Sequence, residues 1–310
     1  MHGLIVRNTG SWYVVHTDDG RQFDCKVKGN FRLKGIRSTN PVAVGDYVSI
    51  TPTPDGETAL ITDIDDRRNY IIRKASNLSK QSHIIAANVD QAALLVTVAH
   101  PETSTTFIDR FLASAEAYRI PVLLIFNKVD IYDDNERRCM QAVMLLYESL
   151  GYTCVSLSAQ TGEGVATLRP LLEGKVTLLS GNSGVGKSTL LNALIPDADV
   201  RTAEISDAHD TGTHTTTFSQ MFFLPTTGSI IDTPGIKGFG TFDMEPEEVG
   251  HYFREIFRIS ADCRFGNCTH TREPGCAVLK AVEEQRIAQS RFQSYLSMLE
   301  DKDEEKYRKG

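Results

Sequence analysis

Apolar and polar residues alternate with a period of two over the first 66 residues, and no helical period interrupts them. That pattern predicts five short strands, at about residues 4–6, 11–16, 22–28, 46–51 and 58–64, joined by turn-forming stretches rich in Asp, Gly and Pro. Five such strands in so short a stretch suggest a small closed barrel of the oligonucleotide-binding (OB-fold) type. From about residue 90 the texture changes to buried-strand runs separated by amphipathic stretches, as in an α/β domain. The runs at 92–98, 122–126, 155–157, 176–180, 218–224 and 229–231 predict strands, and 107–118, 135–150, 165–172 and a stretch ending near 195 predict helices. The last 70 residues predict one helix over 246–259 and one over 277–303, with a Cys/His-rich segment between them. The fold class expected is therefore multidomain: a β-barrel over 1–68, an α/β domain over 69–240 and a helical metal-binding domain over 241–310.

Composition narrows this picture without changing it. The 41% apolar and 24% charged fractions are those of ordinary globular protein. The longest apolar runs have strand length, and the first 30 residues carry no signal-peptide core. Six cysteines, three scattered and three clustered, suit a reducing cytoplasm better than a secreted disulfide framework. The net charge of −7 is unevenly spread, since residues 1–80 hold 12 Lys/Arg against 9 Asp/Glu. Residues 67–80 include Arg67, Arg68, Arg73, Lys74 and Lys80 and no acid, which reads either as an RNA footprint or as a solvated surface. Phe31 among Lys26, Lys28, Arg32, Lys34 and Arg37 offers stacking surface beside cations, a weak signal of the same kind.

Four motifs carry most of the nucleotide chemistry. Gly181-Asn182-Ser183-Gly184-Val185-Gly186-Lys187-Ser188, followed by Thr189, forms a phosphate loop between a predicted strand and a predicted helix. Its backbone N–H groups would cradle phosphates, Lys187 would reach the β- and γ-phosphates, and Ser188 would ligate Mg²⁺. Asn127-Lys128-Val129-Asp130 ends a strand, and the Asp130 carboxylate suits the ring N–H and amino group of guanine. Ser158-Ala159 follows one strand later, where a backbone N–H could meet the guanine carbonyl oxygen. Asp232-Thr233-Pro234-Gly235 supplies a carboxylate for Mg²⁺ and, at Gly235, an amide for the γ-phosphate. The base-reading motif precedes the phosphate loop, so a small-GTPase sheet would be threaded in the order four, five, six, one, two, three. The native ends are rejoined near Glu173-Gly174, a circular permutation.

Ile236 stands where Ras-like enzymes place a water-orienting glutamine. The nearest replacement is His214, in Thr213-His214-Thr215-Thr216-Thr217, although a histidine in a polar loop is often an ordinary surface residue. Thr215 or Thr216 would cap Mg²⁺. Cys263, Cys268, His270 and Cys276 supply three thiolates and an imidazole within 14 residues, a closed tetrahedral set suited to one structural Zn²⁺.

Barrel, permuted GTPase and Cys-x₄-Cys-x-His-x₅-Cys site together resemble the RsgA (YjeQ/YloQ) family of bacterial GTPases. Ala86-Ala87-Asn88-Val89-Asp90-Gln91 and Glu273-Pro274-Gly275-Cys276 extend that resemblance over nearly the whole chain. It implies GTP hydrolysis to GDP and phosphate during late maturation of the small ribosomal subunit, stimulated by the subunit and coupled to release. It also implies rRNA binding through the barrel and the zinc domain. The expected partners are the small subunit, its rRNA and GTP/GDP, with no membrane and a monomeric state. Two other readings are a GTPase-gated module for some other RNA, and a small-molecule kinase built on the phosphate loop.

Overall fold

The computed structural model describes residues 1–28, 41–54, 56–74, 82–198, 200, 219–233 and 245–307. Five strands form the N-terminal unit: β1 (His2–Asn8), β2 (Tyr13–Thr17), β3 (Gln22–Val27), β4 (Tyr47–Pro52) and β5 (Thr58–Ile64). β1 pairs with both β2 and β4, β2 with β3, β3 in parallel with β5, and β5 with β4. The ring is thereby closed and leaves no free edge. Period-two alternation explains its interior: Ile5, Val15, Cys25, Val48, Ile50 and Ile61 point inward and are buried.

The stretch read from sequence as a basic segment folds differently. Within it lies β6 (Tyr70–Lys74), which pairs antiparallel with β7 (Ser82–Ala87) between barrel and α/β domain. The Ala87 N–H donates to the Val44 carbonyl at 2.9 Å, and the Asn88 side-chain amide donates to Gly45 O at 2.9 Å. Arg67 is buried, with Nε 2.6 Å from Asp46 Oδ1, and Arg68 pairs with Asp90 at 2.9 Å. Two of the five cations therefore hold the domain junction together. Lys80 and most of the Phe31 cluster lie outside the described residues.

The α/β domain runs β8 (Gln91–Val96), α1 (Thr105–Ala117), β9 (Val122–Phe126), α2 (Asp134–Ser149), β10 (Thr153–Ser156), α3 (Val165–Leu172), β11 (Val176–Gly181), α4 (Lys187–Leu194), β12 (Gln220–Phe223) and β13 (Ser229–Asp232). In space the strands lie in the order β10-β9-β8-β11-β13-β12, all parallel except β12. Renumbered by the motif order, this is two-three-one-four-five-six read from the β12 edge, the sheet of a small GTPase threaded from its fourth strand. Central strands are buried on both faces, as parallel strands covered by helices must be. Ala92, Leu94 and Val96 face α1 and α2, while Ala93 and Leu95 face α3 and α4.

The rejoined ends form a packed joint. Gly174 N–H donates to Thr227 O at 3.2 Å and Ser229 N–H to Lys175 O at 2.9 Å, so the β12–β13 turn seals the connection between α3 and β11. Gln91 lies beneath it, donating to Leu171 O at 2.8 Å and accepting from Lys175 Nζ at 3.0 Å.

The C-terminal region corrects two helix expectations. Instead of one helix over 246–259, α5 (Pro246–Val249) leads through a 3₁₀ turn (Gly250–Tyr252) to α6 (Arg254–Ser260). The break falls at Phe253, which leaves helical geometry to bury its ring edge-on to Tyr295, centroids 5.7 Å apart. Instead of one helix over 277–303, α7 (Ala277–Glu283) stops at left-handed Gln285, and α8 (Gln289–Tyr307) begins after buried Ile287. Both breaks bring apolar side chains into one core with Val249, Ile256, Val278 and Phe292. Among the described residues no helix is long and apolar enough to cross a membrane.

Candidate functional site

The phosphate loop leaves β11 at Gly181 and enters α4 at Lys187, the strand-to-helix context its sequence requires. Two glycines are fixed by close approach. A Cβ on Gly181 would lie 2.5 Å from Leu95 O, and one on Gly186 (φ +99°) would lie 2.4 Å from Asn127 Nδ2. Ser183 and Gly184 are exposed at the loop crest, Val185 is buried beneath it, and Asn182, Ser188 and Thr189 are half-buried. Lys187 Nζ donates to the carbonyls of Gly181 at 2.7 Å and Asn182 at 2.8 Å. Burial lowers its pKa, against the opposing pull of Asp232.

Asp232 ends β13 directly across from the loop. Burial pushes its carboxyl up to about 6, with the Lys187 ammonium working against that shift. Asp232 Oδ1 and Thr233 Oγ1 are buried with no hydrogen-bond partner among the described residues. Two orphaned buried oxygens beside a phosphate loop are the donor set a hydrated Mg²⁺ accepts, so these residues fit the cation.

The base motif is tied to the phosphate loop by one side chain. Asn127 Nδ2 donates to Val185 O at 2.8 Å, and its Oδ1 accepts the Ala159 N–H at 2.9 Å. Lys128 Nζ donates to His100 O in the loop after β8. Val129 is buried, and Asp130 is exposed at the rim. The N–H groups of Ser158 and Ala159 are both donated inside the protein, the first to Glu163 O at 2.9 Å and the second to Asn127 Oδ1. An oxygen on guanine would have to share the Ala159 amide with Asn127. His214, Thr215, Thr216 and Gly235 lie outside the described residues, as does Ile236.

In the C-terminal domain Cys263, Cys268, His270 and Cys276 converge, their ligand atoms all within 4.8 Å of one another. The Cys263 and Cys276 sulfurs are 3.9 Å apart, and His270 Nδ1 lies 3.6 Å from one and 3.4 Å from the other. Zn–S bonds of about 2.3 Å and Zn–N bonds of about 2.05 Å give tetrahedral edges of about 3.8 and 3.6 Å. The spacing of Cys263, His270 and Cys276 therefore matches three ligands of a tetrahedral zinc shell, with Cys268 beside them as the fourth candidate. His270 sits in left-handed backbone (φ +55°), and the Glu273 carboxylate stabilises the segment by accepting from Thr269 N–H and Oγ1 and from Thr271 N–H.

Sequence reasoning missed Tyr132, whose hydroxyl donates to Asn127 O at 2.6 Å, and the loop at His100 and Pro101 that borders Gly184. Neither carries a motif. An aromatic residue two positions past Asp130 was the only available signal.

Comparison with known proteins agrees with this geometry. The RsgA N-terminal domain model matches residues 2–61 and the RsgA GTPase model residues 64–242. The chain is 67% identical over 308 residues to the small ribosomal subunit biogenesis GTPase RsgA of Bacteroides fragilis, covering 99% of each. It resembles the crystal structure of YjeQ from Thermotoga maritima at TM-score 0.75 and 35% identity, covering 97% of each chain. It resembles YloQ, described as a circularly permuted GTPase, at TM-score 0.71 and 31% identity, covering 98% of this chain and 95% of that one. Phosphate loop, base motif, permuted sheet and Cys/His cluster thus converge with similarity over nearly the full length, and the chain belongs to the RsgA GTPase family.

Proposed function

We propose that this GTPase acts on the small ribosomal subunit during its late maturation. In this reading it binds the subunit and its rRNA, and subunit-stimulated hydrolysis of GTP triggers release. The observation that carries the reading is the match over 99% of the chain to a relative named for small-subunit biogenesis. In this reading Asp130 accepts the ring N–H and amino group of guanine, while Asn127 holds base motif and phosphate loop in register. The Lys187 ammonium exchanges its two loop carbonyls for phosphate oxygens, and Gly181 to Thr189 donate backbone and hydroxyl groups to the phosphates. Ser188, Asp232 and one of Thr215 or Thr216 would hold Mg²⁺, which neutralises charge on the β- and γ-oxygens when bound. The Gly235 amide meets the γ-phosphate. Zinc is the metal proposed for Cys263, Cys268, His270 and Cys276. Three scattered cysteines and three clustered with a histidine are a pattern that supports a reducing compartment such as the cytoplasm.

His214 is proposed to position the attacking water in place of the apolar Ile236. His214→Ala is expected to keep nucleotide affinity and cut turnover by on the order of 10²; unchanged turnover would remove the residue from the mechanism. The deciding experiment for the whole reading is GTP hydrolysis with and without purified small subunits. Stimulation by intact subunits supports it, whereas equal stimulation by protein-free RNA would favour a general RNA-gated module. Free phosphate as the product excludes a kinase.

A further inference from the structure

The base motif is held by more than its own four residues. β9 ends at Phe126, whose carbonyl is taken by the Leu157 N–H at 2.8 Å, and the Asn127 N–H is taken by Val96 O at 2.9 Å. The Asn127 carbonyl points out of the sheet ladder, where a buried acceptor without a partner would be costly. Tyr132, buried in the turn before α2, supplies the missing donor at 2.6 Å. The same hydroxyl accepts the Val98 N–H at 3.1 Å. Since an amide can only donate, the hydroxyl proton must go to Asn127, and its orientation is fixed.

That proton restrains a strained point in the chain. The Asn127 carbonyl belongs to the peptide leading into Lys128, which sits at φ +70° in the left-handed region. If that peptide turned, Lys128 could relax and Asp130 would move off the edge of the base. Val98 in turn opens the loop that carries His100, whose carbonyl holds Lys128 Nζ, and Pro101, which abuts Gly184 of the phosphate loop. One phenol therefore links the strand-end peptide of the base motif to the loop walling the nucleotide site.

We infer that Tyr132 is a positioning residue for guanine selectivity, acting through the Asn127–Lys128 peptide and the Val98 amide. The inference rests on the reading of Asp130 as the guanine acceptor. It assigns selectivity to a side chain that does not touch the nucleotide.

The test compares GDP with IDP, which lacks the 2-amino group, by equilibrium binding to the full-length, metal-loaded protein. Tyr132→Phe keeps the ring and removes only the hydroxyl. GDP affinity is expected to fall about tenfold, IDP affinity by much less, and kcat at saturating GTP to stay within about twofold. The Tyr118 hydroxyl also accepts a backbone amide, from Ile72 at 3.2 Å. Tyr118→Phe is therefore the control and should leave the GDP-to-IDP ratio unchanged. A GDP-to-IDP ratio unaltered in Tyr132→Phe, whether or not melting falls, overturns the inference, and so does an equal change in Tyr118→Phe. If Tyr132→Phe does not fold, hydrogen exchange on the unaltered protein decides: the Val98 amide should slow on binding GDP, and indifference to GDP counts against the idea. Asp130→Asn separates the two levels. Loss of GDP binding there with no effect at Tyr132 sinks only the positioning role, while retained GDP binding in Asp130→Asn removes the reading of the base site itself.

Discussion

The two domains flanking the GTPase are fastened to it by different physics. The barrel joins mainly through backbone pairing, helped at the junction by the Arg68–Asp90 pair and the Asn88 amide. β1 continues the GTPase sheet beyond β12, with Arg7 opposite Gln220 and the Asn8 N–H 3.1 Å from Ser219 O, and His16 stacks on Phe223 at 5.6 Å. The C-terminal domain joins through side chains. Arg291, almost wholly buried on α8, reaches Asp109 on α1 at 2.7 Å and Glu255 on α6 at 2.7 Å. Tyr147 donates to the same Asp109 oxygen, and Arg291 also lies over the Phe253 ring at 4.6 Å. Nearby, Arg254 pairs with Glu116 at 2.6 Å and donates to the carbonyls of Leu150 and Gly151. Backbone pairing tolerates many sequences, whereas a buried charge cluster depends on each member. A nucleotide-driven movement of the C-terminal domain must therefore carry α1 with it or break that cluster, while the barrel is held to β12 by far less.

The largest expected effect separates the domains by their staple. If the Cys263, Cys268, His270 and Cys276 cluster holds zinc as proposed, chelation should unfold the C-terminal helices, because structural zinc contributes about 10 kcal/mol or more of apparent binding free energy. Trp12 is the one tryptophan of the chain and lies in the barrel. Its fluorescence should barely change on chelation while far-ultraviolet circular dichroism falls; parallel loss of both signals would make the two regions a single cooperative unit.

Next comes Arg291→Ala, which strands the Asp109 and Glu255 carboxylates in the core. Burial already pushes the Asp109 carboxyl upward against the attraction of Arg291. A destabilisation of about 3–5 kcal/mol is expected by chemical denaturation, since removing one partner leaves buried charge uncompensated. A cost below about 1 kcal/mol would mean that the interface is wet and the contrast drawn above is wrong. Asp46→Ala applies the same logic to the barrel junction, removing the carboxylate partner of Arg67, which keeps the Pro41 carbonyl and the Tyr70 ring, and the Asp46 Oδ2 that accepts the Ala43 N–H. About 2–3 kcal/mol is expected there, read from the Trp12 transition.

The smallest effect is a pH dependence. His2 bridges Asp18 at 2.9 Å and Asp65 at 3.0 Å on the barrel surface, and those hydrogen bonds raise its pKa above the ordinary histidine value of 6.5. A raised folded-state pKa stabilises the barrel below pH 6.5, and that contribution is lost as pH rises through the folded-state value. The pair is solvated, so the change in melting should be slight, and His2→Ala should abolish it. An identical pH profile in that variant would place the titration elsewhere.

Legibility followed sequence distance. The barrel strands, the permuted order and the candidate phosphate, base and metal segments were readable because each is a local pattern: period-two alternation, a glycine-rich loop on a strand end, Cys and His within 14 residues. The hairpin of β6 and β7 was hidden because a run of cations masked its short apolar cores, Ile71-Ile72 and Ile84-Ile85. The helix breaks at Phe253 and Gln285 were invisible because helical propensity continues through both, and only the shared core made leaving the helix favourable.

By itself the sequence determined the candidate chemistry this chain offers, since the proposed phosphate, base and metal groups lie in short segments whose local spacing the backbone converts into geometry. Only the tertiary structure decided which polar groups are already engaged: Arg67 and Arg68 at a junction, the Ala159 amide by Asn127, and Arg291 by an aspartate 182 residues away. A charge or hydroxyl in a sequence carries no record of its partner, and in a low-dielectric interior the partner sets what the group can do.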